Sequence, residues 1–225
     1  MRESRLCRTT SIFYDKEYWD KYWRERFRVA YDENDESVVQ ENLKKKAWIE
    51  WTLRINTGRL LDVGCSFGFF VSFMRKSGWD ALGVDVSEYA LSLASEEVKP
   101  FLSQASITKI PFADDDFDLV TCWDIMEHLY IEEIVSSVKE LTRVCRGAIV
   151  LKLPVWGFVG EQIVDQSYFS LDKSHVSVYP WEFWARRFVE SGKFKLLNCS
   201  LWLGDVDAGG EGKCMEAWIW FRRAL

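Results

Sequence analysis

Histidine is scarce in this chain. His128 and His175 are the only two, so imidazole chemistry near neutral pH falls on one position or the other. The six cysteines (Cys7, Cys65, Cys122, Cys145, Cys199, Cys214) form no Cys-x-x-Cys pair and no Cys/His cluster along the sequence, which argues against a structural metal site. Cys122, Cys145, Cys199 and Cys214 sit in or beside apolar runs and are expected as small core residues. Base is outnumbered by acid, 29 Lys and Arg against 35 Asp and Glu, for a net charge of −6. Nucleic acid is therefore not an expected partner, because such binding draws on a basic surface. No apolar run reaches membrane-spanning length, and Met1–Arg5 leads into no apolar signal core. A soluble, cytoplasmic protein with no membrane span is expected, as monomer or homodimer. No internal repeat and no low-complexity segment is visible.

What the chain does have is apolar mass, 48% of its residues with 12 Trp among them, and a length that fits one domain with extra elements. Val38–Leu53 reads as an amphipathic helix with Val39, Leu43, Ala47 and Trp51 at helical spacing. Strands are expected at 59–63, 81–84, 101–105, 117–122 and 148–153, the last stopped by Pro154. Helices are expected at 69–77, from an N-cap at Ser87 to Val98, and at 131–144. This alternation implies a mainly parallel α/β sheet. Later, 181–190 reads as a helix, 194–201 and 215–221 as strands, and the Gly- and Asp-rich 204–213 as an exposed loop. Near the start, Tyr18 and Tyr22, and Trp19 and Trp23, stand four apart and make adjoining rows on one helix face.

Two strand ends carry the chemistry. Leu60-Leu61-Asp62-Val63-Gly64-Cys65-Ser66-Phe67-Gly68 is an apolar strand running into a glycine turn, which lets backbone approach a ligand closely. Leu82-Gly83-Val84-Asp85-Val86-Ser87 is a second strand ending in a carboxylate, an acceptor suited to a ribose diol. A dinucleotide fingerprint has Gly-x-Gly-x-x-Gly; here the turn is Gly64-x-x-x-Gly68, with Ser66 between the glycines. Asp62 would repel a pyrophosphate and suits a ligand bearing an ammonium and a sulfonium.

These segments, with Ile110-Pro111-Phe112-Ala113-Asp114-Asp115-Asp116-Phe117-Asp118-Leu119-Val120 and Trp123-Asp124-Ile125-Met126-Glu127-His128-Leu129, resemble class I S-adenosylmethionine-dependent methyltransferases of the small-molecule, type 11/23-like group. The resemblance runs from about Arg59 to Leu153, with four motifs in the family's order and spacing. It implies a Rossmann-like, doubly wound, seven-stranded, mostly parallel sheet with an antiparallel last strand. Residues 1–56 are then an N-terminal helical lid or cap. Residues 57–225 are the cofactor-binding domain, with a cap insertion at about 154–180.

The resemblance implies S-adenosyl-L-methionine as cofactor. Gly64, Cys65, Ser66 and Gly68 are expected to turn backbone toward the methionine part and the sugar, Asp62 to orient the ammonium, Asp85 to bind the ribose and Val86 to pack on the adenine. The place of the family's adenine-binding Asp falls on Ser106, followed by Ile107, so backbone at Ile107 is the alternative contact. Cys122 and Trp123 are expected on the methionine side, with Tyr14 or Tyr18 closing over it. For catalysis, His175 in Asp172-Lys173-Ser174-His175 is a candidate base or substrate ligand, the alternative being a histidine that ties its loop to its neighbours. His128 and Asp124 are further candidates, each with a plain structural alternative. Asp114-Asp115-Asp116 reads as a solvated turn rather than a metal site. The implied reaction is methyl transfer to a small molecule, a hydroxyl of a sugar, a lipid or quinone precursor, or another metabolite. A protein acceptor, or a non-catalytic cofactor-binding module, stays open beside it.

Overall fold

In the computed structural model, the described residues are 14–23, 32–159, 162–164, 174–205 and 213–224. The chain enters through a π-helical turn, Tyr18–Trp23, and then helix α1 (Glu36–Leu53), capped by the Asp35 carboxylate accepting from the Ser37 N–H. Alternation follows: β1 (Arg59–Val63), α2 (Phe69–Lys76), β2 (Asp80–Asp85), α3 (Glu88–Ser92), β3 (Leu102–Gln104), β4 (Phe117–Trp123), α4 (Ile131–Val144) and β5 (Cys145–Val155). A small hairpin, β6 (Gly157–Val159) with β7 (Gln162–Val164), precedes α5 (Trp181–Val189), β8 (Phe194–Asp205) and β9 (Lys213–Arg223).

Seven strands form one sheet in the order β3-β2-β1-β4-β5-β9-β8. β1 to β5 pair in parallel, and β9 runs antiparallel to both neighbours. This is the Rossmann-like sheet with its antiparallel last strand. The order reverses between β1 and β4, and such switch points leave a crevice beyond the carboxyl ends of the strands.

Strand alternation divides the core. Leu61 and Val63 join Val120, Ile149 and the buried faces of α4 and α5. Leu60 joins Leu119, Val150, Trp218 and Trp220 under α1 and α2. Both faces are covered, which is why the central strands read as nearly continuous apolar runs. Phe188 of α5 stacks on Phe221 of β9 with ring centroids 4.6 Å apart. Burying each such side chain stabilises the fold by about 1.5–3 kcal/mol.

Several elements differ from expectation. On α1 the expected apolar stripe points outward, Trp51 being 60% and Leu43 45% exposed, while Asn42, Ile49 and Leu53 are buried. The inward face carries polar residues because part of it lines a cavity. Ser87 does cap α3, accepting from the Ala90 N–H at 3.1 Å, but the helix stops at Ser92. The turns that follow bury both Ala94 and Val98. Pro154 does not end its strand: β5 continues to Val155. The β4 register stops at Lys152, so no ladder bond toward β4 is lost at Pro154, and on its other side Pro154 lies opposite Glu216. Residues 206–212 of the expected loop, and most of the expected insertion between 160 and 173, lie outside the described residues, as do the side chains of Tyr22 and Trp23.

Candidate functional site

The carboxyl ends of β1, β2 and β4 open into a cavity of about 440 Å³, closed on one side by α1 and by the Tyr14–Trp19 segment. That volume lies within the range of small-molecule sites.

The loop after β1 is shaped by alternating left-handed residues: Gly64 at φ 82°, Ser66 at φ 51° and Gly68 at φ 75°. A Cβ on Gly64 would stand 2.3 Å from Ile125 Cδ1, and one on Gly68 2.7 Å from Leu102 Cδ1. Both glycines are required by conformation and by space. Asp85 fixes this loop from the next strand. Its Oδ2 accepts from the Ser66 N–H and its Oδ1 from the Ser87 N–H, each at 2.8 Å. A carboxylate offers about four lone-pair sites, so Asp85 keeps acceptor capacity toward the cavity. Ser87 is fully buried and ties three elements together. Its hydroxyl accepts from Trp19 Nε1–H at 2.9 Å and from the Ala90 N–H, and donates to the Tyr14 carbonyl. Trp19 also packs edge-on against Phe67 at 5.0 Å. The Tyr14–Trp19 segment is thereby clamped over the glycine loop.

Electrostatically the cavity is acidic. Glu41, Asp62, Asp85 and Asp124 line it, against the single ammonium of Lys45. Burial pushes Asp62 up to about 6, opposed by the Thr121 hydroxyl, which donates to its Oδ1 at 2.8 Å. Burial also raises Asp85, opposed by the backbone N–H groups of Ser87, Ser66 and Val86. Asp124 stands at φ 54°, a left-handed position at the end of β4. Burial acts to raise its carboxyl, but Lys152 at 2.9 Å outweighs burial and holds it below the usual range. Lys152 also reaches Glu216 at 3.4 Å. Its ammonium is raised, because Asp124 and Glu216 outweigh burial.

Of the residues singled out in the sequence, Tyr14, Asp62, Gly64, Cys65, Ser66, Asp85, Val86, Ile107, Trp123, Asp124 and His128 line this cavity, with Tyr18. Gly68 stands behind the wall as the cap of α2. Cys122 is buried among core residues on the face opposite Trp123, as strand alternation dictates. Ser106 turns aside, its hydroxyl 2.7 Å from that of Thr108, and Ala105 takes a place on the wall beside Ile107. His175 lies next to the cavity rather than among its lining residues, its ring 4.8 Å from that of His128.

Sequence reading missed what His175 and His128 share. Both Nε2 atoms lie 3.9 Å from Oε1 of the fully buried Glu127. The fold brings residue 175 there through two backbone bonds, the N–H groups of Val176 and Ser177 both donating to the Glu127 carbonyl. One ligating atom from each of Glu127, His128 and His175 falls within 4.8 Å of the others. The triad can hold and pass a proton, and its donor set is also one that cations accept. His128 and His175 stand 47 positions apart, so spacing gave no signal. Sequence reading also missed Ser37, Glu41, Asn42 and Lys45, which α1 brings to the cavity. Asp172 lies outside the described residues.

Residues 61–150 match the family model of the methyltransferase domain. The ubiquinone biosynthesis O-methyltransferase of Methylococcus capsulatus is 33% identical over 94 residues, 39% of this chain and 39% of that one. YqeM of Bacillus subtilis, named as a methyltransferase, is 28% identical over 161 residues, 66% of this chain and 65% of its own. The chain thus spans less than two thirds of the length of these curated relatives. Among solved structures, magnesium protoporphyrin IX methyltransferase from Synechocystis, determined with bound SAH, aligns with a TM-score of 0.65 at 14% identity, covering 92% of this chain and 97% of that one. At that identity the likeness is one of fold.

Proposed function

We propose that the chain is a class I S-adenosylmethionine-dependent methyltransferase that methylates a hydroxyl of a small-molecule acceptor, a reading supported by the methyltransferase-domain match over residues 61–150 and by the methyltransferases it resembles. The observation that carries the reading is the charge pattern of the cavity: Asp62 and Asp85 both face it across a glycine loop, in a lining with four carboxylates and one lysine. A pyrophosphate would be repelled there, whereas a sulfonium with an ammonium is attracted.

The donor set fits the cofactor. Asp85 has the acceptor capacity to take the ribose diol, and Asp62 the charge to take the ammonium. Val86, Ala105 and Ile107 offer apolar wall to the adenine, and Tyr14 and Trp123 flank the opposite end. When bound, the cofactor supplies a methyl group already activated by positive sulfur. Much of the remaining catalysis is then positioning, for which a rigid cavity is suited. A hydroxyl acceptor must also lose its proton, and an imidazole nitrogen of His175 or His128 receives it. Glu127, beside both rings, orients them and stabilises the imidazolium. The Tyr14–Trp19 segment excludes water from the site. The name of the Methylococcus relative supports O-methylation and an acceptor of the quinone-precursor class.

The test has two stages. Calorimetry is expected to show stoichiometric binding of S-adenosylhomocysteine, and no binding overturns the reading. Labelled S-adenosylmethionine with catechols, other phenols and host metabolite extract is expected to label a small molecule. Label appearing only on protein, or tight binding with no acceptor-dependent turnover, would overturn the small-molecule assignment.

A further inference from the structure

Three consecutive lysines of α1 meet three different environments. Lys44 lies over the rings of Trp202 and Trp218 at 5.4 and 5.7 Å, and Lys46 pairs with Glu50 at 2.7 Å along the helix. Lys45 turns into the cavity, its Nζ 5.1 Å from the Trp123 ring and 5.6 Å from the Phe70 ring.

The groups facing Lys45 are Glu41, Asp62, Asp124 and Lys152. None of these carboxylates forms an ion pair with it among the described residues. Asp124 is engaged by Lys152 at 2.9 Å and Asp62 by the Thr121 hydroxyl at 2.8 Å. Burial pulls the Lys45 ammonium down, and the like charge of Lys152 adds to that. A cation placed against two aromatic faces, with Asp124 and Asp62 already held and no ion pair formed to Glu41 one helical turn away, can take an anion from a ligand.

The position of that cation says which part of a ligand it meets. Lys45 lines the cavity beside Phe70 and Trp123, with Asp62 among the acids close enough to act on it. An amino-acid group carries one cation and one anion on the same carbon. Asp62 and Lys45, of opposite sign in one cavity, match such a zwitterion. Resting on the cofactor reading above, we propose that Lys45 receives the carboxylate of the cofactor's methionine end while Asp62 receives its ammonium, so that helix α1 selects an intact amino acid.

Calorimetry on the full chain with three ligands tests this: S-adenosylmethionine, its decarboxylated form, and 5′-methylthioadenosine, which lacks the amino acid altogether. The wild type is expected to bind the intact cofactor at least about tenfold tighter than the decarboxylated form. Lys45→Met is expected to weaken the intact cofactor by about ten- to hundredfold, to leave 5′-methylthioadenosine within about twofold, and to remove discrimination against decarboxylation. Lys45→Arg keeps the charge and is expected to keep the discrimination, and it is read alongside in case the methionine variant does not fold. Equal losses for all three ligands make Lys45 a wall residue and overturn the proposal. So does a wild type that binds the decarboxylated form as tightly as the intact one. A wild type that binds none of the three overturns the cofactor reading itself, whereas one that binds 5′-methylthioadenosine but gains nothing from the amino acid overturns only this inference.

Discussion

Asp62→Asn is expected to stabilise the empty protein and to weaken cofactor binding. The carboxylate is 2% exposed and, pushed up to about 6, holds its proton more tightly in the folded state than an ordinary aspartate at 3.8 does. Below about pH 4 both states are protonated and Asp62 is neutral toward folding. As pH rises, the unfolded chain ionises first, so stability is lost between about pH 4 and pH 6 and stays lost above it. The difference between the two values corresponds to about 3 kcal/mol at pH 7. Asparagine cannot ionise, and its carbonyl oxygen can still accept from Thr121. The variant should therefore gain up to about 3 kcal/mol over wild type at pH 7, or several degrees in Tm for a chain of this size.

Binding goes the other way. If the ionised carboxylate holds the ammonium, wild-type affinity should fall by about tenfold from pH 7 to pH 5 as Asp62 takes up its proton, and the variant should lose this dependence. Thermal melts from pH 4.5 to 7.5, paired with calorimetry over the same range, read both effects. A variant less stable than wild type at pH 7, or a stability difference that does not grow with pH, would refute the reasoning.

Asp85→Ala removes the acceptor proposed for the ribose and the partner of two loop N–H groups, so cofactor affinity should fall by at least about hundredfold; unchanged affinity by calorimetry contradicts the ribose assignment. Gly64→Ala places a methyl 2.3 Å from Ile125 at φ 82°, and chemical denaturation should show a loss of about 2–4 kcal/mol. The double variant with Ile125→Ala should recover the steric part of the φ-plus-clash effect at position 64; a single-variant loss under about 1 kcal/mol means the loop is not constrained as described. His175→Ala should lower turnover by about a hundredfold or more while S-adenosylhomocysteine affinity stays within about threefold. Wild-type turnover in that variant removes His175 as the base.

The sheet was legible because burial on both faces writes apolar strands directly into the sequence, and because a glycine turn and a strand-end carboxylate carry their own chemistry. Asp62, Gly64 and Asp85 could be placed from those signals alone. The α4 helix was read to the residue, since Ile134, Val138 and Leu141 repeat toward one core face. What failed did so for stated physical causes. The stripe Leu43–Ala47–Trp51 is a sound helical period, but α1 turns its other side inward, where Asn42 and Lys45 serve a cavity rather than a core. Pro154 is a strand breaker only where a ladder needs its N–H, and the neighbouring strand has already ended there. His175 reaches Glu127 and His128 through a connection whose geometry no local pattern records.

The α1 stripe and His175 share a location, at or beside the cavity. An apolar pattern predicts well where burial alone decides the residue, and poorly where a residue is held at a cost for a ligand. Asp62 and Asp85 are raised by burial, Lys45 is lowered by it, and Asp124 sits at a left-handed φ with its charge matched by Lys152. All four face one cavity at the point where the strand order reverses. Buried charges on the wall of an empty cavity are unfavourable, and the diol, ammonium and carboxylate of the proposed cofactor would offset that cost. Where burial sets the cost, as at Asp62, replacement should trade binding against stability, whereas Asp124, whose carboxyl Lys152 holds below the usual range, should cost stability when replaced.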